Sequence, residues 1–175
     1  MSDEGRGSNV ERAALIALGS NLGDSISLVR NAMGLLKDFS ARPLLRSSLW
    51  DTTPVDCPAG SPRFVNAAVF LFPHADETPE SLLKKLQALE QTFGRKPKLL
   101  LNEPRPLDAD LIAFGNEVRQ LPELTLPHPR AHLRRFVLQP VSEIAANFIL
   151  PGQAKTISEL LAALRSVERV VRIDA

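Results

Sequence analysis

Short runs of apolar residues, bounded by glycine, proline or asparagine, predict a series of strands. Runs of this kind suit a sheet that is covered on both faces, because neighbouring side chains then enter a core on either side. The predicted strands span residues 13–18, 44–52, 64–71 and 107–114. Residues 117–120 follow a turn at Gly115-Asn116, and we expect them to form a short hairpin partner of the fourth strand.

Apolar positions three and four residues apart predict four helices. These helices begin near residues 25, 78, 133 and 156 and end near residues 38, 94, 145 and 164. Asp24 is a candidate cap for the first, and Thr78 with Pro79 is typical of a helix start. Thr156-Ile157-Ser158-Glu159 forms a capping box for the last. Pro140 interrupts the third pattern, so that helix is expected either to kink or to consist of two short pieces.

The order of these elements indicates a single α+β domain. We expect a ferredoxin-like sandwich, in which a mainly antiparallel sheet is covered by helices. A chain of 175 residues with 44% hydrophobic content is long enough for one substantial core. The domain is expected to span residues 11–175, with residues 1–10 as a flexible N-terminal extension.

Net charge and cysteine content restrict the possible binding partners and the cellular compartment. A net charge of +1 argues against general nucleic-acid binding, which needs a basic surface. No apolar run reaches membrane-spanning length, and the first residues lack the apolar core of a signal peptide. Cys57 is the only cysteine, which excludes an internal disulfide and fits a reducing cytosol. We expect a cytoplasmic monomer that binds small molecules.

The strongest chemical signal is the pair Asp108 and Asp110. On a strand these carboxylates share one face, while Leu107 and Ala109 face the other way. Carboxylates so close together repel each other unless a cation lies between them, and oxygen ligands of this kind suit Mg²⁺ with bound phosphates. Arg105 lies close to them in sequence, and its guanidinium group is suited to binding an oxyanion such as phosphate. The alternative is an ordinary solvated pair on an edge strand, which the apolar residues 111–114 disfavour.

A second candidate site lies on the strand 64–71. Phe64 and Asn66 share a face, so an aromatic plane lies beside an amide that both donates and accepts, as recognition of a flat heteroaromatic ring requires. The alternative is that Phe64 is an ordinary core residue. Glycine-rich phosphate loops are absent, so side chains must bind any phosphate. The candidates are Arg95, Lys98, Arg105 and Arg134.

Six segments, in order from about Ala14 to Leu164, resemble the 6-hydroxymethyl-7,8-dihydropterin pyrophosphokinase family. They are Ala17-Leu18-Gly19-Ser20-Asn21-Leu22-Gly23-Asp24, Thr52-Thr53-Pro54-Val55, Phe64-Val65-Asn66-Ala67-Ala68-Val69, Leu89-Glu90 with Gly94-Arg95, Pro104-Arg105-Pro106-Leu107-Asp108-Ala109-Asp110-Leu111-Ile112, and Pro127-His128 with Arg134 and Phe136. The resemblance implies transfer of an intact pyrophosphoryl group from ATP to the hydroxymethyl oxygen of the dihydropterin. AMP would be the second product, and the pathway would be folate biosynthesis.

The resemblance also implies roles for individual residues. Asp108 and Asp110 would hold two Mg²⁺ ions, and Arg95 and Arg105 would stabilise charge during catalysis. ATP would contact Gln87, Glu90, Lys98, Leu111, Thr125, His128 and Arg134. The pterin would contact Thr52, Thr53, Pro54, Val55, Phe64, Asn66 and Phe136.

One segment departs from the family pattern. Leu99-Leu100-Leu101 stands where many relatives carry polar or basic residues that reach ATP. These leucines are expected either to close over the nucleotide as a dry lid or to pack on the domain, and ATP contacts are expected to differ. Two other functions remain open: a different Mg²⁺-dependent phosphotransferase or nucleotidyl transferase, and a ferredoxin-like regulatory module in which the aspartates are idle.

Overall fold

A six-stranded antiparallel sheet forms the centre of the computed structural model, which describes residues 12–174. The strands are β1 Ala14–Ser20, β2 Leu45–Arg46, β3 Trp50–Thr52, β4 Phe64–Leu71, β5 Asp108–Phe114, β6 Arg119–Gln120, β7 Thr125–Leu126 and β8 Val170–Arg172. The strand order in the sheet is β5-β1-β4-β3-β8, and β2 also pairs with β4. The two remaining strands, β6 and β7, form a separate hairpin. The predicted flexible extension, residues 1–10, lies outside the described residues.

Helices cover both faces of this sheet. Within residues 12–174 they are α1 Ser25–Leu35, α2 Pro79–Thr92, α3 Arg135–Ala145 and α4 Ile157–Ala163. Helices α1 and α2 pack on one face, and α3 and α4 pack on the other. The predicted α+β sandwich of ferredoxin-like plan is therefore confirmed. None of the helices in the described part of the chain is long and apolar enough to cross a membrane.

The helix starts follow the local signals. Asp24 accepts a hydrogen bond from the N–H of Ser27 at 3.2 Å, so it caps α1 as predicted. Thr78 and Ser81 form a reciprocal capping box at α2, with Pro79 at the first helical position. Thr156 and Glu159 form the predicted box at α4. These side chains satisfy backbone N–H groups that have no partner inside the helix.

The sheet divides the apolar residues into two cores. Alternate residues of β1, β4 and β5 enter the core beneath α1 and α2, and the others face α3 and α4. In β5 the register shifts at Ile112, because Leu111 pairs with Ile16 whereas Ala113 pairs with Leu15. This bulge brings Ile112 and Ala113 onto the same face.

Two of the predicted elements were wrong in detail. Residues 44–52 form two short strands, because Ser47 leaves the ladder: its Oγ accepts a hydrogen bond from the N–H of Ala68 at 2.8 Å. Residues 117–120 do not pair with β5, since β6 pairs with β7. Residues 135–145 form one helix with Pro140 in its middle, so the alternative of two short pieces is excluded and the kink stays a prediction. Strand β8 was not predicted.

The cap of α2 makes a measurable contribution to stability. Thr78→Ala removes the acceptor of the Ser81 N–H bond, and we expect the free energy of unfolding to fall by about 1 kcal/mol. Urea denaturation followed by circular dichroism measures this change. Lys84→Ala, an exposed mid-helix change, is the control and is expected to have little effect. An unchanged midpoint for Thr78→Ala would contradict the assigned cap.

Candidate active site

A cavity lies at the end of the sheet where β1 ends, β4 and β5 begin, and α3 starts. Gly19 lines this cavity and pairs with Asn66 of β4 on one side and with Asp108 of β5 on the other. The side chains of this cavity come from the strands, from two loops and from the first turn of α3. They include Thr52, Thr53, Val55, Phe64, Asn66, Asn102, Arg105, Asp108, Asp110, Arg134 and Phe136.

One part of the cavity has an aromatic and amide lining. The amide nitrogen of Asn66 donates to the hydroxyl of Thr52 at 2.7 Å, and both side chains are buried. Phe64 is on the same face of β4 and packs at the cavity wall. Phe136 lines the cavity from α3. A flat ring with polar edges matches this combination of apolar faces and a fixed amide.

An ion-pair cluster lies next to this aromatic and amide part of the cavity. Arg95 pairs with Glu90 and, at 2.6 Å, with Asp108. Arg105 pairs with the other carboxylate oxygen of Asp108 at 3.1 Å. Glu90 also accepts a hydrogen bond from the N–H of Ala109 at 2.8 Å, so the cluster is tied to the start of β5. Arg95 and Arg105 are thereby brought together although ten residues separate them.

Asn21 fixes the backbone of Arg105. The Oδ1 atom of Asn21 accepts the N–H of Arg105 at 2.9 Å, and the N–H of Asn21 donates to the carbonyl of Arg105 at 3.2 Å. Sequence reasoning read the segment containing Asn21 as a turn and assigned it no role in the site. A buried asparagine in a loop was the available signal, since its amide needs a partner.

Asp110 is the member of the cluster whose negative charge is least balanced. Burial, together with the negative charges of Asp108 and Glu90, raises the pKa of Asp110 from 3.8 to about 7, and Arg105 and Arg134 only partly offset this. Burial likewise raises the pKa of Glu90. A bound cation would relieve this crowding.

The donor set at β5 fits Mg²⁺ as part of a shared site. Asp108 and Asp110 face the same cavity from alternate positions of β5, as predicted, and carboxylate oxygens suit this ion. Among the described residues no group of three or more His, Cys, Asp and Glu side chains could hold a metal by itself. Phosphate oxygens or water would therefore complete the coordination. The Nε of Arg105 is buried and has no hydrogen-bond partner within residues 12–174, so a donor is available for an incoming oxyanion.

A basic groove adjoins the cavity. Arg95, Lys96 and Lys98 line it, and Arg105 lines both the groove and the cavity. Burial would lower the pKa of Arg95, but Asp108 and Glu90 outweigh it and raise the pKa. The groove has the charge that a chain of phosphates requires.

Arg134 lines the cavity just before α3, and His128 is close enough to feel its charge. Burial and the charges of Arg134 and Arg130 lower the pKa of His128, so the imidazole is neutral at pH 7. Its Nδ1 accepts the N–H of Arg130 at 3.2 Å. The guanidinium carbon of Arg134 lies 5.3 Å from the centre of the Phe136 ring. Arg105 is similarly placed, 5.5 Å from the centre of the Phe64 ring.

Some residues predicted to contact ATP or the pterin line neither the cavity nor the groove. Gln87 is exposed on α2, and Thr125 is exposed on β7. The side chain of Leu111 is buried beneath α1 and α2, on the face of the sheet opposite the cavity. Neither lining includes Pro54 or His128. The roles assigned to these five residues stay predictions.

The loop before β5 contains a residue that sequence reasoning missed. Asn102 lines the cavity, and its amide nitrogen donates to the carbonyl of Asp56 at 2.6 Å, which links two loops across the cavity mouth. Leu99, Leu100 and Leu101 are 89%, 64% and 79% exposed. The expectation that these leucines pack on the domain was therefore wrong. Their role as a lid stays a prediction.

Taken together, the fold and the site define an α+β domain with an aromatic and amide-lined cavity beside a basic groove. The model of the 7,8-dihydro-6-hydroxymethylpterin-pyrophosphokinase (HPPK) family matches residues 15–146, most of the chain. The 2-amino-4-hydroxy-6-hydroxymethyldihydropteridine pyrophosphokinase of Synechocystis sp. is 35% identical over 148 residues, 85% of this chain and 74% of that protein. The enzyme of the same name from Haemophilus influenzae is 36% identical over 149 residues, 85% of this chain and 90% of that protein. The chain belongs to the HPPK family.

Solved structures agree with the fold. Wild-type Plasmodium falciparum HPPK-DHPS with pteroate matches with a TM-score of 0.65 at 13% identity. The match covers 86% of this chain and 42% of that one, so this chain spans less than half of the solved chain. This likeness shows the fold alone.

A substitution at Gly19 tests the geometry of the aromatic and amide part of the cavity. A Cβ at this position would stand 2.7 Å from the Oδ1 of Asn66, so Gly19→Ala must displace the amide. We expect about five- to thirtyfold weaker binding of a ring ligand, since a misplaced hydrogen-bonding amide costs about 1–2 kcal/mol. Gly34→Ala in α1 is the control, because nothing lies within 4 Å of its added Cβ. Equal binding by the two variants would contradict this packing.

Asp110 makes stability depend on pH. The folded protein keeps a proton on Asp110 that the unfolded chain releases, so stability falls as the pH rises from about 4 to about 7. Asp110→Asn removes this penalty, and we expect the metal-free variant to gain roughly 4 kcal/mol over the wild type at pH 8 relative to pH 4. Denaturant titrations with EDTA at both values measure the difference. If Asp110→Asn is less stable than the wild type at pH 8, the assignment of the raised pKa to Asp110 is contradicted.

Proposed function

We propose that this chain transfers the intact β,γ-pyrophosphoryl group of ATP to the hydroxymethyl oxygen of 6-hydroxymethyl-7,8-dihydropterin, as a step of folate biosynthesis. The hydroxymethyl oxygen attacks the β-phosphorus, and the bond from that phosphorus to the oxygen retained by AMP breaks. Family membership supports the reaction class. The observation that carries the proposal is the position of Arg105, which lies between the ring cavity and the basic groove and pairs with Asp108.

The ring cavity suits the pterin. Phe64 and Phe136 provide apolar faces for the ring, and Asn66 reads its polar edge. Thr52 orients the amide of Asn66 through the 2.7 Å hydrogen bond. Thr53, Pro54 and Val55 form the loop along the remaining edge. An enzyme for a different phosphoryl acceptor would not need this combination.

The basic groove suits the triphosphate. Arg95 and Lys98 face the groove, and Arg105 reaches the point where it meets the ring cavity. Two guanidinium groups near the transferred phosphates would stabilise the charge that develops as AMP leaves. Arg134 and the neutral His128 would bind phosphate or nucleotide from the side of α3. Glu90 acts through Arg95, which it holds in place.

Asp108 and Asp110 would hold Mg²⁺, and we propose two ions. When bound, Mg²⁺ bridges phosphate oxygens and neutralises part of their charge. The crowding that raises the pKa of Asp110 supports a cation at this position. Direct transfer between the two substrates needs no nucleophile from the protein.

The remaining assignments follow from the same proposal. Gln87, Leu111 and Thr125 are proposed ATP contacts on the strength of the family resemblance, through backbone groups in the case of the buried Leu111. The chain is proposed to act as a cytoplasmic monomer on small molecules, without nucleic acid or membrane, and residues 11–175 as one domain.

The products test the reaction directly. The full-length protein is incubated with ATP, Mg²⁺ and the reduced hydroxymethylpterin, and nucleotides are separated by anion-exchange chromatography. One AMP for each pterin pyrophosphate is expected. Formation of ADP, or no turnover by folded protein, would overturn the proposal.

A pair of variants tests the division into ring cavity and phosphate groove. Phe136→Ala is expected to raise the KM for the pterin about tenfold or more, because a stacking face is lost. Lys98→Ala is expected to raise the KM for ATP several-fold while the pterin KM changes little, because an exposed cation contributes less. Steady-state kinetics with each substrate varied in turn gives both values. The reverse pattern would contradict the assignment of the two parts.

A further inference from the structure

The first turn of α3, which carries Phe136, has no cap of its own. Arg134 occupies the position before the helix and its side chain makes no capping hydrogen bond, and the first turn contains no acidic residue. The backbone N–H groups at a helix start have no partner inside the helix and need acceptors from elsewhere. At α3 such an acceptor comes from a distant part of the chain.

Glu168 supplies this acceptor. Its Oε2 accepts the N–H of Phe136 at 2.9 Å, across 32 residues of sequence. A carboxylate at this position also complements the positive end of the helix dipole. The backbone of Phe136, and with it the first turn of α3, is therefore held by a side chain from the segment that leads into β8.

The same segment also binds a second part of the cavity lining. The next residue, Arg169, donates its N–H to the hydroxyl of Thr53 at 3.1 Å and accepts the N–H of Thr53 at 3.0 Å. Thr53 and Phe136 both line the cavity. Glu168 and Arg169 thus connect two parts of the cavity lining, the first turn of α3 and the loop at Thr53.

The segment is itself anchored. The N–H of Glu168 donates to the hydroxyl of Ser166 at 3.1 Å, and Nη2 of Arg135 donates to the carbonyl of Leu164 at 3.2 Å. Strand β8 then pairs with β3 directly beyond it. The half-buried carboxylate of Glu168 is consequently presented to α3 from a fixed backbone.

We infer that Glu168 is a positioning residue for pterin binding: its carboxylate caps α3 and sets the place of Phe136 in the cavity wall. This inference rests on the proposed function, because it assumes that the ring cavity receives the pterin. Glu168 itself does not line the cavity, so it acts only through Phe136. Loss of the Glu168 carboxylate should therefore weaken pterin binding and leave binding in the phosphate groove unchanged.

The test measures equilibrium binding and kinetics on the full-length protein. Glu168→Ala is expected to weaken binding of the dihydropterin, measured by calorimetry, and to raise its KM about five- to tenfold, as for one lost charge-assisted hydrogen bond. The KM for ATP is expected to stay within about twofold. Glu168→Gln keeps an oxygen acceptor and is expected to restore most of the pterin affinity.

Glu159→Ala is the matched control. Glu159 also accepts a backbone N–H at a helix start, that of Thr156 at 2.8 Å, but α4 does not line the cavity. This variant should lose stability without any change in the pterin KM. If Glu168→Ala does not fold, Glu168→Asp provides the test, since its shorter side chain should weaken pterin binding and spare ATP.

Three results separate the possible failures. Absence of AMP formation by the wild type overturns the proposed function. If the wild type forms AMP normally but the Glu168 variants bind the pterin as tightly as the wild type does, that result overturns the positioning role. So does a rise of both KM values by the same factor, because a general loss of structure would produce it.

Discussion

The paired charges of Asp108, Arg95 and Arg105 are the interaction on which the rest of the site depends. They join the loop 95–105 to the first residue of β5 and place two guanidinium groups beside one carboxylate. Removing half-buried charges from water is costly, so the cluster is stable only because nearly every charge in it has a partner. Asp110 is the exception, and its raised pKa records the unbalanced negative charge. A cation at the proposed metal site would balance it.

The ring cavity depends on a second constraint, which is close packing around Gly19. The strand backbone approaches Asn66 so closely that any side chain at this position would displace the amide. Arg105 then joins the two parts of the site, since it pairs with Asp108 and its guanidinium carbon lies 5.5 Å from the centre of the Phe64 ring. An acceptor ring and a phosphate chain bound in these two places would meet at Arg105.

Local signals made much of this arrangement predictable. Helix caps depend on residues three positions apart, and strand faces depend on alternation, so Thr78, Thr156 and the shared face of Asp108 and Asp110 could be read directly. Long-range contacts could not. Ser47 divides a predicted strand by bonding to Ala68, and Asn21 holds Arg105 across 84 residues. Strand β8 likewise has no strong pattern of its own and forms because β3 offers it an edge.

The central claim is that the pterin lies between Phe64 and Phe136 while the phosphates lie along the basic groove, with Arg105 between them. A crystal structure with the dihydropterin, an unreactive ATP analogue and Mg²⁺ tests it most directly. The account predicts the ring against the Asn66 amide, the triphosphate near Arg95 and Arg105, and metal density at Asp108 and Asp110. A ring bound in the basic groove, or phosphates remote from Arg105, would contradict it.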